Sequence, residues 1–225
     1  MAEFGVLVIG PGRGGTGLLA ALLDAHPRLD VELENHSKHL LIQKREPRQR
    51  LRLYRERCER CAETSDAQIW GNKVTTESIR ALAPNGGIEP LDLFFGELSD
   101  IPTIFILRDG RSCVESKVRR TGMPYEKAAD NWRFSVDAMQ YLQARGALVV
   151  TFEQLVTEPE RTLKTVCSFL TIPFSERMYE GTTSLRLNPE YRRERISPDR
   201  AAVAHVPPKV YESIVDALRA AGYIR

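Results

Sequence analysis

Side chains able to grip an anion fall into three separated groups: Arg13-Gly14-Gly15-Thr16-Gly17 near the start of the chain, Lys73, and Arg108 with Ser112, Ser116 and Arg120. Carboxylates able to move a proton cluster at Asp30, Glu32 and Glu34, with His36 close behind. Glycines allow positive φ and close backbone approach, and the free N–H groups at a helix start attract negative charge, so a phosphate-like group is the expected guest of the first group.

These residues need a scaffold, and the apolar pattern supplies one. Val6 to Ile9 read as a strand running into the glycine loop, and Leu18, Leu19, Leu22 and Leu23 as the helix leading out of it, ended near His26 by Pro27. A second strand is expected over Leu29 to Glu34, with Glu32 and Glu34 on one face and Glu34 nearer the carboxyl end, where open parallel sheets bind ligands. Ile69 to Lys73 read as a short third strand with Lys73 at its carboxyl edge, followed by a helix from Thr75 or Thr76 with Glu77 in its first turn. Pro84 to Gly87 form a loop and Leu91 to Leu98 a short helix.

Thr103 to Leu107 are continuously apolar, as in a strand buried on both faces. Asp109 can cap the next helix, which places Ser112, Ser116 and Arg120 on one face at steps of four. A long helix over Tyr125 to Arg145, ended by Gly146, a fifth strand at Leu148 to Val150, and helices over Glu158 to Leu170 and Pro208 to Ala221 complete the pattern; the last two are separated by the arginine-rich stretch Tyr191 to Arg195. The fold class is α/β: one domain over residues 1–225, with a central parallel sheet of about five strands flanked by helices.

With 225 residues and 42% hydrophobic composition, one α/β domain with a sizeable core is expected. A net charge of +2 gives no global pull toward nucleic acid, so basic chemistry has to be local. No apolar run is long enough for a membrane span and no signal-peptide pattern opens the chain, so a cytoplasmic protein without membrane contact is expected. Cys58, Cys61, Cys113 and Cys167 are too few and scattered for a disulfide scaffold. Cys58-Glu59-Arg60-Cys61 spells C-x-x-C, but with Leu51 and Tyr54 it puts both sulfurs on one apolar seam, and no second Cys/His pair with ligand spacing follows, so no metal is assigned. Lys44 to Arg60 carry eight Lys or Arg against three Glu, an amphipathic basic helix that either lines the approach of an anionic partner or is a solvated face.

Three phosphate-binding readings fit the first loop. Gly10, Gly12 and Gly15 match G-x-G-x-x-G, with Asp30, Glu32 and Glu34 near the position of a Rossmann ribose-binding acid. Gly10 and Gly15 also have Walker A spacing, but Thr16 stands where the phosphate-holding lysine belongs. Arg13-Gly14-Gly15-Thr16-Gly17, third, resembles the phosphosulfate-binding loop of sulfotransferases. Later segments agree with this one: Leu-Asp-Ala-His-Pro behind the loop, Asn72-Lys73, Arg108-Asp109-Gly110-Arg111 through Ser116 and Arg120, Phe152 to Val156, His205-Val206-Pro207 and Gly222-Tyr223. The chain thus resembles the sulfotransferases that use phosphoadenosine phosphosulfate (PAPS), most closely their tyrosylprotein branch. Gly14 and Gly17 replace hydroxyl residues usual in that loop, and Val74-Thr75 and Thr151 also depart from the branch.

The resemblance implies transfer of a sulfuryl group from PAPS to an acceptor hydroxyl, leaving the bisphosphate product PAP. It assigns the 5′-phosphate to Arg13, Gly14, Gly15, Thr16 and Gly17 and the 3′-phosphate to Arg108, Ser116 and Arg120. It places Arg13 and Lys73 at the leaving group and Glu34 as the base, with Glu32 and His36 in reserve. The acceptor it implies is a phenol or tyrosine, in an acidic peptide or a small molecule, or a carbohydrate hydroxyl; a homodimer stays open. A nucleotide- or PAP-binding protein without catalysis and a Rossmann-type NAD(P) oxidoreductase remain the alternatives.

Overall fold

The computed structural model describes residues 1–84 and 87–225; of the loop expected over Pro84 to Gly87, Asn85 and Gly86 lie outside the described residues. Five strands, β1 (Glu3–Gly10), β2 (Leu29–Glu32), β3 (Ile69–Thr75), β4 (Thr103–Leu107) and β5 (Leu148–Thr151), form one sheet of order β2-β3-β1-β4-β5. Every neighbouring pair is parallel.

Both faces are covered, which explains why the central strands are apolar without alternation. Val6, Val8, Val31, Ile104 and Ile106 pack under helices α1 (Thr16–Asp24), α8 (Phe152–Thr157) and α9 (Pro159–Phe169). Leu7, Ile9, Trp70, Val74, Phe105 and Leu107 face the other core, built with α3 (Pro47–Glu63), α4 (Thr76–Arg80), α5 (Glu89–Leu98), α6 (Gly110–Thr121), α7 (Tyr125–Gln143) and α10 (Pro208–Ala220). Of the 3-10 helices that follow, Glu176–Thr183 packs against α1 and Pro198–Ala201 against α8, with Pro189–Tyr191 between them in the chain. Among the described residues no helix is long and apolar enough to cross a membrane.

Two departures from the sequence reading bear on the anion-binding residues. Strand β2 stops at Glu32, and Glu34, with helical φ and ψ of −60° and −5°, is the N-cap of an unforeseen short helix, α2 (Asn35–Leu40). The Asn72 side-chain amide explains the stop: it donates to the carbonyls of Glu32 (3.2 Å) and Leu33 (2.9 Å), replacing the ladder just where the chain turns away. Strand β3 runs on to Thr75, so Lys73 sits inside it, opposite Val8, rather than at its end.

The basic helix α3 is part scaffold. Glu46 caps it by accepting from the Gln49 N–H, with Pro47 in the first turn. Arg50, buried, donates to the carbonyls of Leu41 (2.8 Å), Ala81 (3.0 Å) and Leu82 (2.8 Å), tying three chain segments together. Arg55 is occupied by Glu59 and Asp100. Each acceptor stranded in the interior costs about 1–3 kcal/mol. Arg50→Met, which keeps the stem and removes the donors, is therefore expected to lower unfolding stability by about 3 kcal/mol or more, measured by urea denaturation. Arg48→Ala, two residues away on the exposed side, is expected to change it by less than about 0.5 kcal/mol.

Candidate active site

The glycine loop joins β1 to α1 at the carboxyl edge of the sheet. Its Gly15 is the helix N-cap at φ 95°, and a Cβ there would drive into the Phe152 ring, so only glycine fits. Gly14 is fixed differently: its N–H donates to Pro11 O at 2.9 Å, and a Cβ would meet Pro11 atoms at 2.6 and 2.9 Å, so the hydroxyl residue usual there has no room over this proline. A Cβ on Gly17 would meet only Leu187, at 3.7 Å. Arg13 itself holds φ 77°, a conformation that a non-glycine residue adopts at a cost of order 1–3 kcal/mol and that packing around it must enforce. Its Nε donates to Ser116 Oγ (3.1 Å) and another guanidinium nitrogen to the Tyr191 hydroxyl. The first-turn N–H groups of α1, at Thr16, Gly17 and Leu18, have no acceptor one turn back and point into the same space.

A crevice of about 670 Å³ opens above this loop. Of the residues singled out in the sequence, Arg13, Gly15, Thr16, Gly17, Glu34, Lys73, Arg108 and Arg120 line it, as does the reserve carboxylate Glu32. Gly14 and Ser116 stand behind it, Ser116 as the acceptor that orients Arg13. Ser112 is taken by the chain's late segment, donating to Ala202 O (3.1 Å) and accepting from the Ala204 N–H (3.0 Å). No residue of α3 lines the crevice, so the basic helix does not form its wall.

Charge in this crevice is unbalanced. Six cationic side chains line it: Lys73 pairs with Glu34, Arg120 with Glu190 and Arg186 with Asp24 and Asp30, while Arg13, Arg108 and Arg200 have no carboxylate partner among the described residues. Lys73 is buried and paired with Glu34; burial pulls its ammonium below the ordinary lysine range while the Glu34 carboxylate pushes it back up. Ser37 clips the two together from behind, donating to the carbonyls of Glu34 (3.2 Å) and Lys73 (3.3 Å). Arg108 lies over the Phe152 ring at 4.5 Å, with its Nε buried and without a protein partner. Arg200 lies over the same ring at 5.4 Å, and burial weakens the proton affinity of both guanidiniums. An anion placed among Arg13, Arg108 and Arg200 would relieve their mutual repulsion.

Beside the loop, the Glu77 carboxylate accepts from the Gly12 N–H (3.0 Å) and pairs with Lys117, whose ammonium burial pushes down to about 8. Neither of these residues, nor Tyr191, Arg186 and Arg200, was assigned to the site by its spacing. Glu77 and Lys117 look like ordinary helix residues in sequence, and the other three lie in an irregular segment whose only signal is its arginine content. Separated motifs do meet: Tyr223 donates to Glu153 (3.1 Å), whose other oxygen accepts from the Asp109 N–H (3.1 Å), while the Asp109 side chain caps α6.

Known proteins share this architecture. Over its full length the chain is similar to the sulfotransferase domain from the Synechococcus PCC 7002 olefin synthase, with a TM-score of 0.72, 18% identity and 96% of that chain covered. The fold also matches a mouse sulfotransferase complexed with PAP, with a TM-score of 0.59 and 11% identity over 99% of this chain and 86% of that one. In sequence it is 25% identical to the protein-tyrosine sulfotransferase of Drosophila melanogaster over 195 residues, which are 76% of this chain and 38% of the fly protein, so it spans well under half of that relative. The model of the sulfotransferase family matches residues 5–176, a stretch that holds the glycine loop, Glu34, Lys73 and the Arg108 to Arg120 helix, and the chain belongs to that family.

Proposed function

We propose that the protein transfers a sulfuryl group from PAPS to an acceptor hydroxyl. The observation that carries this reading is the partly buried excess of cations around a glycine loop and helix start, with one carboxylate, Glu34, reaching into the same crevice. The orphaned Arg108 Nε and the crevice volume fit a donor bearing phosphates at two ends. The fold neighbour complexed with PAP supports the donor, and the fly relative's tyrosine specificity supports a phenolic acceptor.

In the reaction the acceptor O–H loses its proton to the Glu34 carboxylate and the oxygen forms a bond to sulfur. The bond from sulfur to the 5′-phosphate oxygen breaks, and negative charge grows on that oxygen. Arg13, Lys73 and the α1 N-terminus stabilise it there, as in phosphoryl transfer. The Lys73–Glu34 pair holds acid and base roles in one place before the substrates arrive. Arg108 and Arg120 hold the 3′-phosphate.

Charge-assisted bonds to a phosphate contribute about 1.5–3 kcal/mol each. Arg108→Ala is expected to weaken PAP about tenfold or more while changing adenosine 5′-phosphate affinity far less, measured by calorimetry; equal losses would refute the 3′ assignment. Glu34→Gln is expected to cost on the order of a hundred- to ten-thousandfold in turnover with PAP affinity nearly unchanged. Lys73→Ala is also expected to slow turnover, but phenols of lower pKa should restore Glu34→Gln and not Lys73→Ala. Wild-type rates in Glu34→Gln would pass the role to Glu32.

A further inference from the structure

We propose that Glu32, His36 and Cys61 form a binding site for a divalent transition metal of the zinc type, which shares Glu32 with the wall of the anion crevice. The three come from β2, α2 and α3, and their donor atoms all lie within 4.8 Å of one another. His36 Nε2 is 2.8 Å from Glu32 Oε2 and 3.5 Å from Cys61 Sγ.

The sharing of one ring nitrogen decides what this trio can do. A nucleophile relay needs one imidazole nitrogen on the thiol and the other on the carboxylate. Here Nε2 faces both, so the arrangement is convergent: three donors surround a point rather than forming a line. Tetrahedral zinc with bonds of about 2.0–2.3 Å sets its ligands about 3.3–3.7 Å apart; the two spacings to His36, 2.8 and 3.5 Å, lie close to that range, and the Glu32 and Cys61 donors are within 4.8 Å of each other. Thiolate, imidazole and one carboxylate select a borderline-soft ion over magnesium or calcium, which require oxygen. Glu32 and His36 keep side-chain exposures of 31% and 15%, leaving access from solvent and room for water as a fourth ligand.

Sequence pattern pointed elsewhere in this region. The C-x-x-C pair does not act together: Cys58 is fully buried in the core, while Cys61 is only partly covered and turns to His36. Binding would displace the Cys61 thiol proton to solvent and leave the thiolate on the ion. An ion here would fasten β2 and α3 to the helix that Glu34 caps.

The test is titration of the purified protein with Co²⁺ and Zn²⁺, read by absorbance, equilibrium dialysis and thermal unfolding. One equivalent of Co²⁺ should bind with a thiolate charge-transfer band, and Zn²⁺ should raise the melting midpoint. Cys61→Ser should lose the band and at least tenfold in Zn²⁺ affinity, and His36→Gln, which removes a donor from another element, should lose affinity likewise. Either variant, shown folded by a cooperative melt, that keeps full affinity overturns the site, as does a band that survives in Cys61→Ser or a wild-type protein that binds no ion.

Discussion

One electrostatic constraint dominates the carboxyl edge of this sheet: three arginines, Arg13, Arg108 and Arg200, face one crevice with no carboxylate partner among the described residues, and burial weighs on Arg108 and Arg200. Withdrawing a charge from water costs several kcal/mol unless something pays it back. The fold compensates in part. Lys73 takes Glu34, Arg120 takes Glu190, Arg186 takes Asp24 and Asp30, Arg108 and Arg200 share the face of Phe152, and Arg13 takes the hydroxyls of Ser116 and Tyr191. Faces of aromatic rings and hydroxyl oxygens are weak substitutes for an anion, and the remaining deficit is what a bisphosphate donor would fill.

Glu34, the base in the proposed reaction, shows how much scaffold one carboxylate requires. It lies beyond its strand, at the cap of a six-residue helix with little stability of its own. Asn72 holds the two carbonyls that precede it, Tyr54 of α3 donates to Asn72 Oδ1 (2.8 Å), and Ser37 ties the Glu34 and Lys73 backbones together. Arg50 in turn anchors α3 to the segment after α2 and to the end of α4. The basic helix thus reaches the chemistry through a tyrosine and a buried arginine, from behind, while its exposed charges face elsewhere.

Legibility followed locality. The glycine loop, the Arg108-Asp109 strand end and its capped helix are set by neighbours within one or two turns, and their sequence reading matches the structure closely. The end of β2 was not legible because a side chain 40 positions later, Asn72, decides it. Helix α8 was missed although Thr151 and Gln154 form a reciprocal capping box, since six residues give too little periodicity to register. The pairing of Cys61 with His36 rather than Cys58 depends on how α3 rolls against β2 and α2, which no heptad count contains.

The crevice has two origins in the chain, and they are held by different means. Its anion-gripping wall lies within the family-matched residues 5–176, on strand ends and helix starts that the sheet makes rigid. The opposite wall, Arg186, Leu187, Asn188, Tyr191 and Arg200, comes from later residues with no strand and only single turns of 3-10 helix. Polar clamps hold it: Arg186 to Asp24 and Asp30, Arg192 to the carbonyls of Ser184, Leu185 and Leu187, and the Ala202 to Ala204 backbone to Ser112. The Arg186 and Arg192 contacts, between partly exposed groups, contribute little each, while Ser112 is buried. The late segment is therefore held by fewer and weaker contacts than the packed sheet, whereas the glycine loop is wedged against Phe152.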